Sequence, residues 1–549
     1  MAEASESPIM KILSDVVNKW MTAKDERTVG NTAIIIPPKF ISILHENIYS
    51  TIINASNGAI YEDTRDEKNA NISVETRAGD DVNGTGYDFA SECAPIDGQL
   101  AEIKNVANKL VGNSLNSSIS SYFDAHSIKS VQNKDTFKKM RAVPKIIDTS
   151  VPEFPKFDYD NIAQILEKYS KHFGKMKSIE DCTIGYKFSK NEKHFVTSEG
   201  TVIVSRDWLP YCSISLTVKD NEGRKLEFSN YFYSKDPQKM LFETKLQALG
   251  DRLYKKALER IDCQIQESGS FDVLMDHEQI GVLFHEDAVA HLFSAKYILE
   301  DNLTTFDLQK LNQKIMPDFI SLYDDPMLPA GKNWNNFKYD DEGVPTERKL
   351  LVDHGILRGY LTDRTSAYTL SQLLGKEIPA GNSRMEAGSY DEPEPRISNL
   401  DIITSKPKSF AELKSELIKR CIKQDRDYGL MLYGSQGGFV DVDAEEETPG
   451  VNATFPTFIY RLYTNGNIVP VKCAHTVGSA YNLLNSVEML GKTKSYDAGF
   501  CGASSGFVSA GEFAMHGLLS DIEFVSEKKD LERQPLLKDD DDDDCGEEE

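Results

Sequence analysis

One apolar segment carries residue types that can hold and use a metal ion. Within residues 284–291 lie His285, Glu286 and His291. A neutral imidazole nitrogen is a common ligand of divalent metals, and a glutamate beside it can take a proton from metal-bound water. These residue types therefore indicate a hydrolytic metal site.

The spacing of the two histidines differs from that of the common zinc helix. In that motif the histidines are four residues apart, about 40° around the helix, so both face one metal. His285 and His291 are six residues apart, which is about 120° on an ideal helix. They reach one ion only if the helix bulges or ends between them. The alternative is a buried helix, with His285 hydrogen-bonded in the core and His291 at the surface.

Composition and charge limit the class of partner. The chain has 549 residues, 40% of them hydrophobic, and a net charge of −25. Without the nine acidic residues in 539–549, the net charge would still be −16. An acidic protein repels phosphates and anionic lipids, so we expect neither nucleic acid nor a membrane as partner.

Targeting signals and cysteine spacing indicate the compartment. The N-terminus lacks a basic region followed by a continuous apolar run, and no apolar stretch is long enough to span a bilayer. The eight cysteines include no close pair of the Cys-x-x-Cys type. We therefore expect reduced thiols and a cytoplasmic protein.

The pattern of elements predicts an α+β fold in two domains. The first is a mixed domain with an antiparallel sheet, and the second is mainly β. The predicted divisions are a polar N-terminal extension (1–30), an α+β domain (31–268) with a connection or insertion at about 113–155, a β-rich domain (269–537), and a disordered acidic tail (538–549).

Hydrophobic periodicity predicts the individual elements. The predicted helices span residues 41–54, 161–172, 237–260, 278–299 and 410–423. The predicted strands span residues 70–77, 183–188, 194–205, 211–219, 225–233 and 271–275. The acidic run 340–343 is interpreted as a hairpin turn and not as a calcium loop, because it lacks regularly alternating oxygen ligands.

From residue 282 to 524 the sequence resembles the TldD/PmbA family, also called the modulator-of-gyrase family of metalloproteases. Seven sequence blocks occur in the family's order, and the first half of the chain is similar only loosely. The blocks are 282–286 (VLFHE), 339–346 (YDDEGVPT), 350–363 (LLVDHGILRGYLTD), 381–384 with 395–399 (GNSR, PRISN), 437–441 (GGFVD), 460–470, and 499–502 with 505–508 (GFCG, SGFV).

The resemblance implies a specific site. In the family, the two histidines of a His-Glu-x-x-x-His motif and a cysteine near the C-terminus hold the metal, and the glutamate is the general base. His285 and Glu286 match directly, and Cys501 matches through its glycine-flanked setting. One thiolate and two imidazoles suit zinc and leave a fourth position for water. Glu286 would take the proton of that water before attack on a peptide carbonyl.

One departure from the family motif leaves two interpretations. The family has three residues between the glutamate and the second histidine, whereas here four intervene, and the ungapped position is Ala290. Either a one-residue bulge brings His291 back to the site, or the site has decayed, as in the family's partner subunit, which does not cleave. Cys501 as a nucleophile with His475 or His516 is a further, less favoured reading.

The leading hypothesis is a zinc-dependent peptidase of the TldD/PmbA type that hydrolyses unfolded or small peptides. The resemblance implies a homo- or heterodimer of such subunits that encloses the active site. The second hypothesis is a catalytically inactive partner subunit with a degenerate metal site. The third is a peptide-binding module that uses the glycine-rich stretch 434–438, where a backbone can approach closely.

Overall fold

The computed structural model describes residues 7–23, 25–29, 32–80, 84–96, 99–127, 139–235, 242–299, 305–328, 335–440 and 451–526. Helices and mainly antiparallel sheets form both halves of the chain, so the predicted α+β class is confirmed. The predicted acidic tail, 538–549, lies outside the described residues. No helix in the described ranges is both long and apolar enough to cross a bilayer.

The first half contains four described helices and nine strands. The helices are α1 (Pro8–Met21), α2 (Leu100–Ser127), α3 (Tyr159–Gly174) and α4 (Phe242–Ile261). The strands are β1 (Asp25–Val29), β2 (Thr32–Ile36), β3 (Pro38–Ser56), β4 (Ala59–Asp80), β5 (Gly84–Cys93), β6 (Ile147–Asp148), β7 (Ile179–Thr197), β8 (Val202–Lys219) and β9 (Lys225–Tyr233).

Seven of these strands form one sheet, with the order β5-β4-β3-β7-β8-β6 and β9 paired to β8. Helices α1 and α2 cover one part of the sheet, where Leu13 and Ile103 join one core cluster. Helices α3 and α4 cover another part, where Leu166 and Leu249 join a second cluster. The predicted boundary between the strands 183–188 and 194–205 is wrong. The first strand, β7, continues to Thr197, and residues 198–201 form the turn that leads into β8.

The helix predicted over residues 41–54 is wrong, because this segment lies within β3. It pairs with β4 on one side and with β7 on the other. From residue 40 to 47 every side chain is buried, since helices cover one face and the second half of the chain covers the other. Burial on both faces removes the alternation that identifies a strand, so its apolar residues matched a helical period by chance.

Two further expectations for the first half need correction. Residues 1–30 are not simply a polar extension, because α1 is amphipathic and buries Met10, Leu13 and Val17 against the sheet. Residues 113–127, predicted as part of a connection, form the second half of α2. The segment is rich in Ser and Asn, which is typical of a loop, so composition predicted a connection. Its buried apolar residues Leu115 and Ile119 are nevertheless spaced by about one helical turn.

The second half contains five short helices and fourteen strands in its described residues. The helices are α5 (His277–Phe284), α6 (Ala295–Leu299), α7 (Arg364–Leu374), α8 (Phe410–Lys423) and α9 (Ala480–Asn485). The strands are β10 (Gln264–Ile265), β11 (Gly269–Met275), β12 (Ile320–Asp324), β13 (Lys349–Asp353), β14 (Ile356–Leu357), β15 (Ser383–Arg384), β16 (Glu394–Pro395), β17 (Asn399–Thr404), β18 (Tyr428–Val440), β19 (Val451–Tyr463), β20 (Ile468–Lys472), β21 (Ala474–Ser479), β22 (Val487–Ala503) and β23 (Gly506–Ser526).

Twelve strands of this half form one large sheet. Its main path is β10-β20-β19-β18-β11-β23-β17-β12-β13-β14, while β21 pairs with β19 and β23, and β22 pairs with β23. The largest core cluster lies against this sheet and includes α5 residues such as Ile280 and Leu283.

The run 340–343 forms the predicted turn, in which the carboxylate of Asp340 accepts hydrogen bonds from the amides of Glu342 and Val344. The division into domains remains a prediction.

The two halves are joined by a buried ion pair. Asp220, in the turn between β8 and β9, accepts a hydrogen bond from Lys472 of β20 at 2.9 Å, and one from Arg224 at 2.7 Å. Burial alone would raise the pKa of Asp220, but the hydrogen bonds from Lys472 and Arg224 outweigh it and lower the pKa to about 2. Asp220 therefore favours folding while it is ionised.

We expect Asp220→Ala to lower the free energy of unfolding by about 3–5 kcal/mol, because it leaves the Lys472 ammonium buried without its partner. Glu222→Ala is the control: Glu222 pairs with Arg224 but its side chain is 63% exposed, so the loss should stay below about 1 kcal/mol. Denaturant unfolding at pH 7 measures both. Since the carboxyl titrates near 3.9 when unfolded, the wild type should lose the Asp220 contribution as the pH falls from about 4 towards 2. Equal losses in the two variants would contradict this assignment.

Candidate metal centre

The helix that carries the first histidine starts at the end of β11. Asp276 caps α5, since its carboxylate accepts a hydrogen bond from the Gln279 amide at 3.0 Å. The inward side chains Ile280 and Leu283 are fully buried in the main core. His285 therefore follows a helix whose position is fixed by packing.

Directly after α5 the helix widens into a π-turn, His285–Val289. The amide of Ala290 donates to the carbonyl of His285 at 3.0 Å, and the hydrogen bond therefore spans five residues instead of four. This turn accommodates the extra residue before His291, and the two imidazole ring centroids lie 6.1 Å apart. His291 does not lie at the surface, because its side chain is only 13% exposed. The backbone thus has the bulge that one interpretation of the spacing requires.

A hairpin from the other end of the domain supplies the cysteine. In the pairing of β22 with β23, Cys501 lies opposite Val508, and two further residue pairs separate it from the hairpin turn. Arg396, which is fully buried, donates hydrogen bonds to the carbonyls of Cys501 and Gly506, at 2.5 and 2.9 Å. The guanidinium therefore holds both strands beside the cysteine.

The structure brings together all four residues singled out in the sequence. The candidate ligand atoms of His285, His291 and Cys501 lie within 4.8 Å of one another. The Sγ atom of Cys501 is 3.8 Å from Nε2 of His291, and the Oε2 atom of Glu286 is 3.5 Å from the same nitrogen. Two nitrogens and one sulfur around a small buried volume match the donor set that zinc prefers. The residues present therefore fit a zinc ion.

The charges at the site favour a thiolate. Burial alone would raise the pKa of Cys501, but the imidazoles of His285 and His291 outweigh it and lower the pKa well below 9.0. Burial would lower the pKa of His285, but Cys501 and Glu512 raise it well above 6.5. A thiolate is the form of cysteine that binds metals.

Glu286 lies in a confined position beside the histidines. Burial is the main cause that raises its pKa above 4.5, and the two imidazoles oppose this shift. Gly438 of β18 packs against it: a Cβ atom there would lie 3.1 Å from Cγ of Glu286 and 2.9 Å from the carbonyl oxygen of Ala453. The glycine therefore leaves the space that the Glu286 side chain needs.

The sequence offers two other histidines as bases for Cys501. His475 packs against the ring of Phe455, with centroids 5.2 Å apart, and His516 packs against Phe410 at 5.0 Å. The imidazoles that interact with the Cys501 sulfur are instead those of His285 and His291. The described contacts of the Cys501 thiol therefore do not include either of the other two histidines.

Sequence reasoning missed Glu512, which lies on β23. Its Oε1 atom accepts a hydrogen bond from Nδ1 of His285 at 2.8 Å, and both side chains are buried. The sequence did contain a signal for a buried carboxylate. Glu512 lies between the apolar Ala510 and Ala514, two residues from each, so all three face the same inward side of the strand. A charged residue at an inward position requires a partner.

Comparison with known proteins finds metallopeptidase relatives for the part of the chain that carries this site. Residues 268–512 match the family described as PmbA/TldA metallopeptidase C-terminal domain. A metalloprotease of Methanothermobacter thermautotrophicus is 28% identical over 346 residues, which cover 63% of this chain and 70% of that protein. A zinc metalloprotease TldD homologue of Saccharolobus solfataricus is 25% identical over 260 residues, which cover 47% of this chain and 48% of that protein. The chain therefore matches only about half the length of the second relative.

Solved structures share the fold. A modulator of DNA gyrase from Thermotoga maritima aligns with a TM-score of 0.62 and 18% identity, covering 88% of this chain and 96% of that chain. TldE from Thermococcus kodakarensis aligns with a TM-score of 0.62 and 14% identity, covering 95% and 100%. At these identities the likeness concerns the fold alone. Residues 268–512, which are less than half of the chain, therefore belong to the PmbA/TldA metallopeptidase C-terminal domain family.

Proposed function

We propose that this protein is a zinc-dependent peptidase that hydrolyses unfolded or small peptides. The observation that carries the proposal is the convergence of the candidate ligand atoms of His285, His291 and Cys501 within 4.8 Å. These residues are far apart in sequence or out of helical phase, so their meeting is not a by-product of one helix. The name of the Saccharolobus solfataricus relative, a zinc metalloprotease, supports the choice of metal.

The two histidines and the cysteine would hold the zinc, and Glu286 is the general base. When bound, zinc supplies Lewis-acid activation of water and of the peptide carbonyl. Glu286 accepts a proton from the attacking water at Oε2, which lies 3.5 Å from His291. Its raised pKa makes it a stronger base than an exposed glutamate.

The end of β18 suits an extended peptide substrate. Up to Leu432, β18 pairs with β11 on one edge and with β19 on the other. After Leu432 its pairing among the described residues is with β19, so residues 438–440 leave one edge of the strand without a described strand partner. Gly438 lies against Glu286, which places this edge beside the proposed base. A peptide that adds to the edge as a strand is bound through its backbone, in keeping with unfolded substrates of varied sequence.

We further propose that the protein works in the cytoplasm as a dimer with a TldD/PmbA-type subunit, either a second copy or a homologue. The fold shared with TldE supports such a partner. The seven cysteines in the described residues form no disulfide with one another, as expected in a reducing compartment.

Zinc content tests the ligand set. Wild type should purify with close to one zinc ion per chain, whereas His291→Ala and Cys501→Ser should lose most of it, because each removes one of three protein ligands. Elemental analysis beside circular dichroism provides the measurement. Cys421→Ser, a buried thiol in a different core cluster, is the matched control and should keep its zinc. A folded wild type without zinc would instead identify the chain as a catalytically inactive partner subunit.

Glu286→Gln tests the general base. The amide keeps the shape of the side chain but cannot take a proton, so peptide cleavage should fall by roughly 10²- to 10⁴-fold. Zinc content should remain that of wild type. Cleavage of an unfolded reporter peptide, assayed beside the exposed control Glu347→Gln, measures the effect. Full activity of Glu286→Gln would refute this role.

Gly438→Ala tests the space around the base. The added methyl group would displace Glu286 or β18, so kcat should fall on the order of 10- to 100-fold while zinc stays bound. The control is Gly359→Ala, whose Cβ atom would meet one atom within 4 Å, the Leu350 carbonyl oxygen at 3.3 Å. Equal kcat values for Gly438→Ala and wild type would show that the contact with Glu286 has no role in positioning it.

A further inference from the structure

We propose that Glu512 is a positioning residue, which fixes the tautomer and orientation of His285 so that Nε2 is the nitrogen presented to the metal. This inference rests on the proposed function, since it concerns the same site. The observation behind it is the hydrogen bond between Nδ1 of His285 and Oε1 of Glu512, at 2.8 Å.

The chemistry of the pair determines which nitrogen carries the proton. An ionised carboxylate only accepts hydrogen bonds, so Nδ1 of His285 must be the donor. Nε2 is then the nitrogen left to face Cys501, whose sulfur interacts with the same imidazole. Carboxylates that accept from the second nitrogen of a histidine ligand fix the ring and increase its basicity.

The position of Glu512 in the sheet makes the contact rigid. Its strand, β23, is paired on both sides, with Leu400 of β17 and with Asp497 of β22 opposite Glu512. The helix approaches this point closely: a Cβ atom at Gly281 would lie 2.8 Å from Cβ of Glu512. The carboxylate is therefore held by the sheet while the imidazole is held by the helix.

The charge of Glu512 has no other explanation in the described residues. Its side chain is buried, and the one described basic group within 4.0 Å of its carboxylate is His285. A buried carboxylate is costly unless it is paired. No described lysine or arginine pairs with Glu512, so an architectural ion pair does not account for it, whereas a role toward His285 and a bound cation does.

The test compares zinc affinity in Glu512→Ala, Glu512→Gln and Asp497→Asn, measured by competition with a chromophoric chelator. Glu512→Ala should bind zinc roughly 10- to 100-fold more weakly than wild type. Glu512→Gln still offers an oxygen to Nδ1 but no charge, so its loss should be smaller. Asp497→Asn removes the neighbouring carboxylate on the same face and should change affinity far less than Glu512→Ala does.

A second readout needs no metal. In metal-free protein labelled with ¹⁵N-histidine, at a pH high enough for the His285 ring to be neutral, the His285 signal, assigned through His285→Gln, should report a proton on Nδ1 in wild type and lose that preference in Glu512→Ala. Wild-type zinc affinity and an unchanged His285 signal in both Glu512 variants would overturn the proposal. So would a lower melting temperature of the metal-free variants with unchanged zinc affinity, which indicates a purely structural role. If wild type takes up no zinc, the proposed function fails, and the NMR result alone decides the role of Glu512.

Discussion

The hydrogen bond from the Ala290 amide to the His285 carbonyl sets the geometry on which the rest of the site depends. In a regular α-helix the two histidines would point about 120° apart. The π-turn interrupts this regular winding, and the two imidazole centroids lie 6.1 Å apart. Such turns are rare, and they occur frequently at functional sites. Here all five residues of the turn are buried, so the surrounding core holds it in place.

The second half of the site depends on strand register. Cys501 lies opposite Val508, and Glu512 is four residues further along the same strand as Val508, so Cys501 and Glu512 face the same side of the sheet. A slip of one residue would turn the proposed ligand Cys501 and the carboxylate of Glu512 away from the helix. The result is a pocket with a thiolate and two carboxylates beside two imidazoles, an environment in which a bound dication offsets the buried negative charge.

Much of the site could be predicted from the sequence, because its chemistry resides in residue types and spacing. The extra residue before His291 requires either a bulge or a decayed site, and Cys501 is predicted as a ligand through the resemblance of its glycine-flanked setting to the family's cysteine. Glu512 could not be assigned, because its contact with His285 depends on how β23 is placed under α5. The local periodicity of β3 predicts a helix, because the sequence of one segment does not reveal its long-range pairing with strands on both edges.

The central claim is that one cation is shared by the two imidazoles and the thiolate. X-ray absorption spectroscopy at the zinc edge of the purified protein tests it most directly. The account predicts one sulfur at about 2.3 Å and two imidazole nitrogens at about 2.0–2.1 Å, with a light atom in the fourth position. A zinc spectrum without a sulfur neighbour, or with six oxygen neighbours, would contradict it.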